Sequence, residues 1–225
     1  MSLVCVFDVN ETLLDLAALD PTFERVFGRA GVRREWFTQL LQSAMVTTVT
    51  DAYVDLGVIG DAALGMIAER HGLQLATADR ADLLGAMRTL PPHPDVRAAL
   101  ARLQVAGVRL AALTNNTDEV ARAQLTHAGL ARFFERILSA DSVRRLKPAP
   151  EAYRMAAREL GVEIGGMRLI AAHAWDVAGA MRAGAAAAFV ARPGMVLDPL
   201  APRPEIVGTD LGEVVDQIMA GEASA

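Results

Sequence analysis

Three short stretches of this chain end apolar runs with side chains that can do chemistry, and a fourth, at Lys147, carries a cation. Asp8 follows the apolar run Leu3–Phe7 and precedes the turn-like Asn10-Glu11-Thr12. A carboxylate there can act as a nucleophile where its surroundings keep water from competing. It also reads as a turn or helix-capping aspartate. Thr12 carries a hydroxyl able to donate to Asp8 or to cap the next turn. Thr114-Asn115 supplies a hydroxyl and an amide, which can bind an anion, orient a carboxylate or cap a helix. Lys147, before Pro148, is a lone cation that reads as a surface lysine unless it reaches Asp8. Within a few ångströms it would keep that carboxylate ionised. His173-Ala174-Trp175-Asp176 brings an imidazole, an indole and a second carboxylate.

These groups matter only if the chain gathers them. The run Leu3–Phe7 is short, valine-containing and bounded by Asp8, as a fully buried strand would be. From about Leu14 to Leu90 the patterning is helical, over Thr22–Ala30, Arg34–Thr47, Asp61–His71 and Arg80–Met87, with Val49–Leu56 open between helix and loop. Pro91-Pro92-His93-Pro94 is a stiff boundary. Beyond it, strands at Val108–Leu113, Arg136–Ser139, Arg168–Ala172 and Ala187–Ala191 alternate with helices at Asp95–Ala106, Asp118–Ala128, Pro150–Leu160, Val177–Ala183 and Asp210–Met219, and Pro193–Pro204 reads as a loop. Such alternation predicts an α/β fold with a parallel sheet covered on both faces. The expected architecture is a Rossmann-like parallel sheet core, residues 1–13 and 92–225, with a helical module, residues 14–91, inserted after the first strand. Ligands of such sheets bind beyond the carboxyl ends of the strands, where all four stretches fall.

Composition narrows the function. The 225 residues are 52% hydrophobic and 22% charged, with net charge −5. That is a globular composition, not a disordered one. Mean hydropathy is +0.27, yet no run reaches the roughly 18 apolar residues of a spanning helix, so no membrane partner is expected. The acidic balance speaks against nucleic acid, which needs clustered Lys and Arg. Cys5, the single cysteine, lies in an apolar run and reads as a buried thiol. Met1-Ser2 leads directly into the first strand with no signal-peptide pattern, which makes the cytoplasm the expected location.

Taken together, Phe7-Asp8-Val9-Asn10-Glu11-Thr12-Leu13, Leu113-Thr114-Asn115, Lys147-Pro148 and Trp175-Asp176 resemble, in this order, the four motifs of the haloacid dehalogenase superfamily. The helical module stands where that superfamily has its first cap domain. Within it the chain is most similar to the type II (L-2-haloacid) dehalogenases, notably in Lys147-Pro148-Ala149-Pro150-Glu151-Ala152-Tyr153 and Ala174-Trp175-Asp176. The resemblance implies hydrolytic removal of halide from short 2-haloalkanoic acids through an ester on Asp8, with no metal and no cofactor. The competing branch is the Mg²⁺-dependent phosphatases of small phosphorylated metabolites. Those enzymes carry an acid two positions after the nucleophile, here Asn10, and two acids near the fourth strand, here Asp176 alone. Mg²⁺ prefers oxygen ligands in octahedral geometry, and this set is a poor one.

The resemblance assigns roles residue by residue. Thr12, Asn115 and Lys147 would position Asp8, while Thr114, Asn115 and main-chain N–H groups would hold the substrate carboxylate or halide. The family's halide-binding cap arginine aligns here with Gln42, with Arg33 or Arg34 open as substitutes reaching the site from another turn, and the family's aromatic two positions after the nucleophile is Asn10. His173 replaces a family asparagine and lies three residues before Asp176, while Glu11 lies three after Asp8. A neutral imidazole at His173, its tautomer fixed by Glu11, could activate the water that hydrolyses the ester. The alternative is a structural histidine and a solvated turn glutamate. His71, His93 and His127 read as surface residues. Leu41, Met45, Tyr53 and Trp175 are candidates to exclude water around the substrate, with hinges near Leu14–Asp15 and Pro91–Pro92. A homodimer is the expected assembly.

Overall fold

The computed structural model describes residues 4–222. Leu3, the first residue of the expected opening run, lies outside them. Strand β1 (Val4–Phe7) is buried along its whole length. Its side chains alternate between two apolar layers: Cys5 and Phe7 join one, Val4 and Val6 the other. That two-sided burial explains why the run is uniformly apolar, with no polar alternation.

The chain then leaves the sheet for four helices, α1 (Asp20–Phe27), α2 (Val32–Val49), α3 (Leu56–Arg70) and α4 (Thr77–Gly85). The open segment Val49–Leu56 contains the end of α2, a turn and Asp55, whose side chain accepts from Val58 N and starts α3 earlier than the sequence pattern showed. The outgoing and returning chains clasp each other. Asp15 N donates to Pro91 O at 2.8 Å, His93 N donates to Leu13 O at 2.9 Å, and Leu14 bridges Pro92.

The rest alternates: α5 (Val96–Val105), β2 (Arg109–Thr114), α6 (Asp118–His127), β3 (Arg136–Ser139), α7 (Pro150–Leu160), β4 (Met167–Ala171), α8 (Ala174–Ala183), β5 (Ala186–Val190), β6 (Ile206–Gly208) and α9 (Leu211–Glu222). All pairings are parallel, in the order β3-β2-β1-β4-β5-β6. The fold is thus α/β with a Rossmann-like sheet. The connections run outward from β1 on one side and from β4 on the other, so the crevice of this topology opens at the carboxyl ends of β1 and β4. Strand β6 was not predicted: three residues beyond a proline-rich stretch are too few to show a pattern. Helix α8 begins three residues earlier than expected, with His173 at its N-cap and Asp176 in its first turn.

One close contact ties packing to the site. Gly179 in α8 lies so near the entry to α7 that an added Cβ would sit 2.5 Å from Pro148 Cβ and 2.7 Å from Tyr153 Oη. Overpacking of this kind costs about 1–3 kcal/mol. Gly179→Ala is therefore expected to lower the unfolding free energy measured in urea by that amount and, by displacing Lys147-Pro148, to lower turnover more than the loss of folded protein explains.

Candidate active site

The loop after β1 builds the site. Glu11 adopts a left-handed backbone, φ 60°, which non-glycine residues take only when their surroundings fix it. Here Glu11 N donates to Leu14 O at 2.9 Å and the His93 ring bonds Glu11 O at 3.1 Å. Thr12 joins two strand ends, its Oγ1 donating to Asp8 Oδ2 at 2.7 Å and accepting from Ala172 N at 2.9 Å. Arg192, after β5, donates to Thr12 O and to Asp95, and so buttresses the loop from behind.

Asp8 is buried and held from several sides. Lys147 Nζ donates to Asp8 Oδ1 at 2.8 Å, to Asp176 Oδ2 at 2.6 Å and to Leu113 O at 3.0 Å, using all three of its protons. Tyr153 Oη donates to Asp176 Oδ1 at 2.5 Å. Burial alone would raise the Asp8 pKa. Lys147 first and His173 second overcome it and hold the carboxyl well below the usual range. Burial likewise works against the Lys147 charge, but Asp176 and Asp8 raise its pKa above the ordinary lysine value. Asp176 is pushed upward, chiefly by its own burial, with Lys147 acting in the other direction.

His173 differs from expectation in its charge. Nδ1 lies 3.1 Å from Asp8 Oδ2 and Nε2 lies 3.0 Å from Glu11 Oε2. With a carboxylate at each nitrogen, both nitrogens donate, and the ring is an imidazolium. Burial lowers its pKa, yet the bonds to Asp8 and Glu11 raise it from 6.5 to about 9. The expected neutral imidazole is therefore not the resting form. The ring lies between Trp175, stacked at 5.1 Å, and Phe37 of α2 at 6.0 Å. Since an unfolded histidine titrates near 6.5, the stabilisation from this charge is complete below that pH. It is lost as pH rises through 9, and amounts to about 3 kcal/mol at about 1.4 kcal/mol per pKa unit. Urea unfolding at pH 6 and pH 9.5 is expected to show that loss in the wild type and not in His173→Gln.

A cavity of about 20 Å³ adjoins Asp8, lined by Asn10, Phe37, Leu40, Leu41, Leu56, Thr114, Asn115, Lys147, His173 and Trp175. It has room for about one water, so a bound substrate needs more space beside Asp8 than this cavity offers. Asn10 points its Oδ1 toward Gln124 Nε2, at 3.1 Å. Asn115 is less available than expected, because its side chain clamps the Lys147 main chain: Oδ1 accepts from N at 2.7 Å and Nδ2 donates to O at 3.1 Å. Thr114 Oγ1 accepts from Asn116 N at 3.2 Å, with its own proton left to donate.

Three expected cap residues lie elsewhere. Gln42 is exposed and lines outer hollows with Met45, away from Asp8. The reason is helical phase: Gln42 lies about 140° around α2 from Phe37, and Phe37, Leu40 and Leu41 occupy the inward face. Tyr53 bonds Asp141 and stacks under Arg144. Leu41 and Trp175 do face the site. His93 is half-buried, with a pKa lowered by burial and Arg192, so it is not a simple surface residue. Two groups take places that the sequence does not show, Arg33 holding Glu11 and Asp20 where the sequence leaves it open as a substitute for the cap arginine. Tyr153 was readable only as part of the Lys147–Tyr153 stretch. Arg33, 4% exposed, donates to Glu11 Oε1 at 3.3 Å and to Asp20 Oδ1 at 2.7 Å, and no local signal marks that place.

A divalent cation does not fit this donor set. Lys147 Nζ occupies the space between Asp8 and Asp176, the Asp8 Oδ2 already takes two donors, and Asn10 is turned to Gln124. Among the described residues no cluster of three His, Cys, Asp or Glu could hold a metal.

The model of the haloacid dehalogenase-like hydrolases matches residues 3–184. The chain belongs to this family. Among relatives, the hydrolase is 31% identical to (S)-2-haloacid dehalogenase 4A of Burkholderia cepacia over 80% of this chain and 79% of that one. It is 28% identical to the (S)-2-haloacid dehalogenase of Pseudomonas sp. (strain YL) over 96% and 95%. The L-2-haloacid dehalogenase of Xanthobacter autotrophicus, solved with chloropropionic acid covalently bound, superposes with TM-score 0.89 at 25% identity, covering 97% of this chain and 99% of that one. The type II resemblance is thereby upheld. No described helix of the hydrolase is long and apolar enough to cross a membrane.

Proposed function

We propose that this hydrolase removes halide from short 2-haloalkanoic acids, giving 2-hydroxy acids through an ester on Asp8. The observation that carries this reading is a buried carboxylate held ionised by Lys147, with no donor set for Mg²⁺ beside it. Oδ1 accepts one hydrogen bond where Oδ2 accepts two, so Oδ1 keeps the freer lone pair for in-line attack at C2. Thr114 and main-chain N–H groups of the adjacent loops would hold the substrate carboxylate. The indole N–H of Trp175 is buried with no partner among the described residues, and is assigned to the departing halide in place of the cap arginine. Residues 14–91 would move as a cap on the clasp at Leu13–Asp15 and Pro91–His93, over a core of 1–13 and 92–225.

His173 then changes role within the cycle. Esterification removes the Asp8 charge, one of the two carboxylates that stabilise the imidazolium, and His173 releases its proton to solvent. The neutral ring takes a proton from water as the hydroxide adds to the ester carbonyl. At collapse the bond between the Asp8 acyl carbon and the substrate oxygen breaks while the C2–O bond is kept, and the 2-alkoxide takes the remaining proton of the added water as Asp8 regains its charge. Asp8 and the imidazolium are restored, and one proton is released per halide, as R–X + H₂O → ROH + H⁺ + X⁻ requires. Glu11 orients the ring and Arg33 holds Glu11.

The discriminating assay measures chloride from 2-chloropropionate and phosphate from p-nitrophenyl phosphate, each with and without EDTA. Chloride release unchanged by EDTA, with negligible phosphate release, is the expected result. A strict Mg²⁺ requirement with rapid phosphate release would establish the phosphatase instead.

A further inference from the structure

A second cavity, of about 280 Å³, lies between the inserted helices and the core next to the Asp8 site. The two cavities share Asn10, Phe37, Leu40 and Leu56 as walls. Beyond this partition the larger space is walled by Trp36, Leu84, Met87 and Val120. Its polar side chains already have partners inside the protein. Asn116 Nδ2 donates to Gln124, Thr117 Oγ1 accepts from Val120 N, Asp55 Oδ1 accepts from Val58 N, and Arg88 pairs with Glu119. A polar ligand would compete with these bonds, whereas an apolar chain would cover Leu and Met surface without breaking them.

We infer that this cavity is a subsite for the alkyl tail of 2-haloalkanoic acids longer than propionate, entered from C3 past Asn10, Leu40 and Leu56. At roughly 30 Å³ per water-sized group, its volume takes a hexyl tail with space left. Gly60, on α3, keeps the wall thin: an added Cβ would lie 3.2 Å from Leu40 Cδ1 and 3.7 Å from Trp36 Cζ2. The inference rests on the haloacid reading and deepens it, by assigning medium-chain acids as substrates of the same Asp8.

The test compares kcat/KM for 2-bromopropionate and 2-bromooctanoate in wild type, Leu84→Trp and Val120→Trp, which fill the cavity from opposite walls, and Leu84→Ala, which enlarges it. Wild type is expected to process both acids within about tenfold of each other. Each tryptophan variant should keep 2-bromopropionate within twofold and lose 2-bromooctanoate by tenfold or more, the scale on which a lost apolar contact discriminates. Leu84→Ala should keep both. Wild-type activity confined to 2-bromopropionate would overturn the subsite and leave the haloacid reading standing, as would tryptophan variants that affect both acids equally or neither. No bromide from either acid would overturn the haloacid reading itself.

Discussion

Asp8→Asn and Asp8→Ala release no halide above background from 2-chloropropionate: the expected loss is ~10⁴-fold or more, the scale on which removal of a covalent nucleophile acts. No neighbouring group can substitute. Asp176, the other carboxylate on Lys147, is fully buried and tied to Tyr153, and Glu11 faces the far side of His173. The fold should survive, because Lys147 keeps Asp176 and Leu113 O as partners, although losing one member of a buried ion pair commonly costs about 3–5 kcal/mol. Circular dichroism of the variants, beside the halide assay, separates lost chemistry from lost structure. Halide release at more than a few per cent of wild type by well-folded Asp8→Ala would remove Asp8 from the reaction.

His173→Ala has the second largest expected effect, and a different kinetic shape. Lys147 and Thr12 still hold the nucleophile ionised, so the first half-reaction should proceed. The ester then lacks its base, a loss of about 10²–10⁴ in rate. Rapid-quench halide measurement should show a burst approaching one halide per active site, then a stall. Intact-mass and peptide analysis should place the added mass on the peptide bearing Asp8. Glu11→Gln should slow the same step less, since it perturbs the ring's orientation and not the base itself. Wild-type turnover in His173→Ala, or absence of the burst, would mean that another group activates the water.

Much of this arrangement is visible in the chain before folding, for a physical reason. Buried parallel strands are short apolar runs with polar groups at their carboxyl ends, so Asp8, Thr114-Asn115 and His173–Asp176 stand out against what precedes them, whereas Lys147 follows Arg144-Arg145-Leu146 and is marked by its motif alone. The helical insert is equally visible as a stretch with no strand pattern between β1 and the prolines at 91 and 92. What failed to show depends on phase or on distance. Gln42 was placed by counting along a motif, but which face of α2 meets the core is set by Trp36, Phe37, Leu40 and Ala44, all buried, and Gln42 lies off that face. The 3-residue β6 is too short for any periodicity. Arg33 is buried because Glu11 and Asp20, 22 and 13 residues away, converge on it. The charge of His173 follows from two carboxylates that meet only in three dimensions.

The same logic separates the two branches of the family more sharply than sequence could. Asn10 and the single acid Asp176 speak against Mg²⁺ as residue types. Their geometry adds that the lysine ammonium already fills the place between the carboxylates, 2.8 and 2.6 Å from them.

The claim on which everything else depends is that the oxygen added to the product comes first from Asp8. A single turnover in H₂¹⁸O, with enzyme in excess over 2-chloropropionate, tests it directly by mass spectrometry of product and of the Asp8 peptide. The account predicts unlabelled 2-hydroxypropionate and one ¹⁸O in Asp8. Labelled product with an unlabelled Asp8 peptide would contradict it and establish direct attack by water.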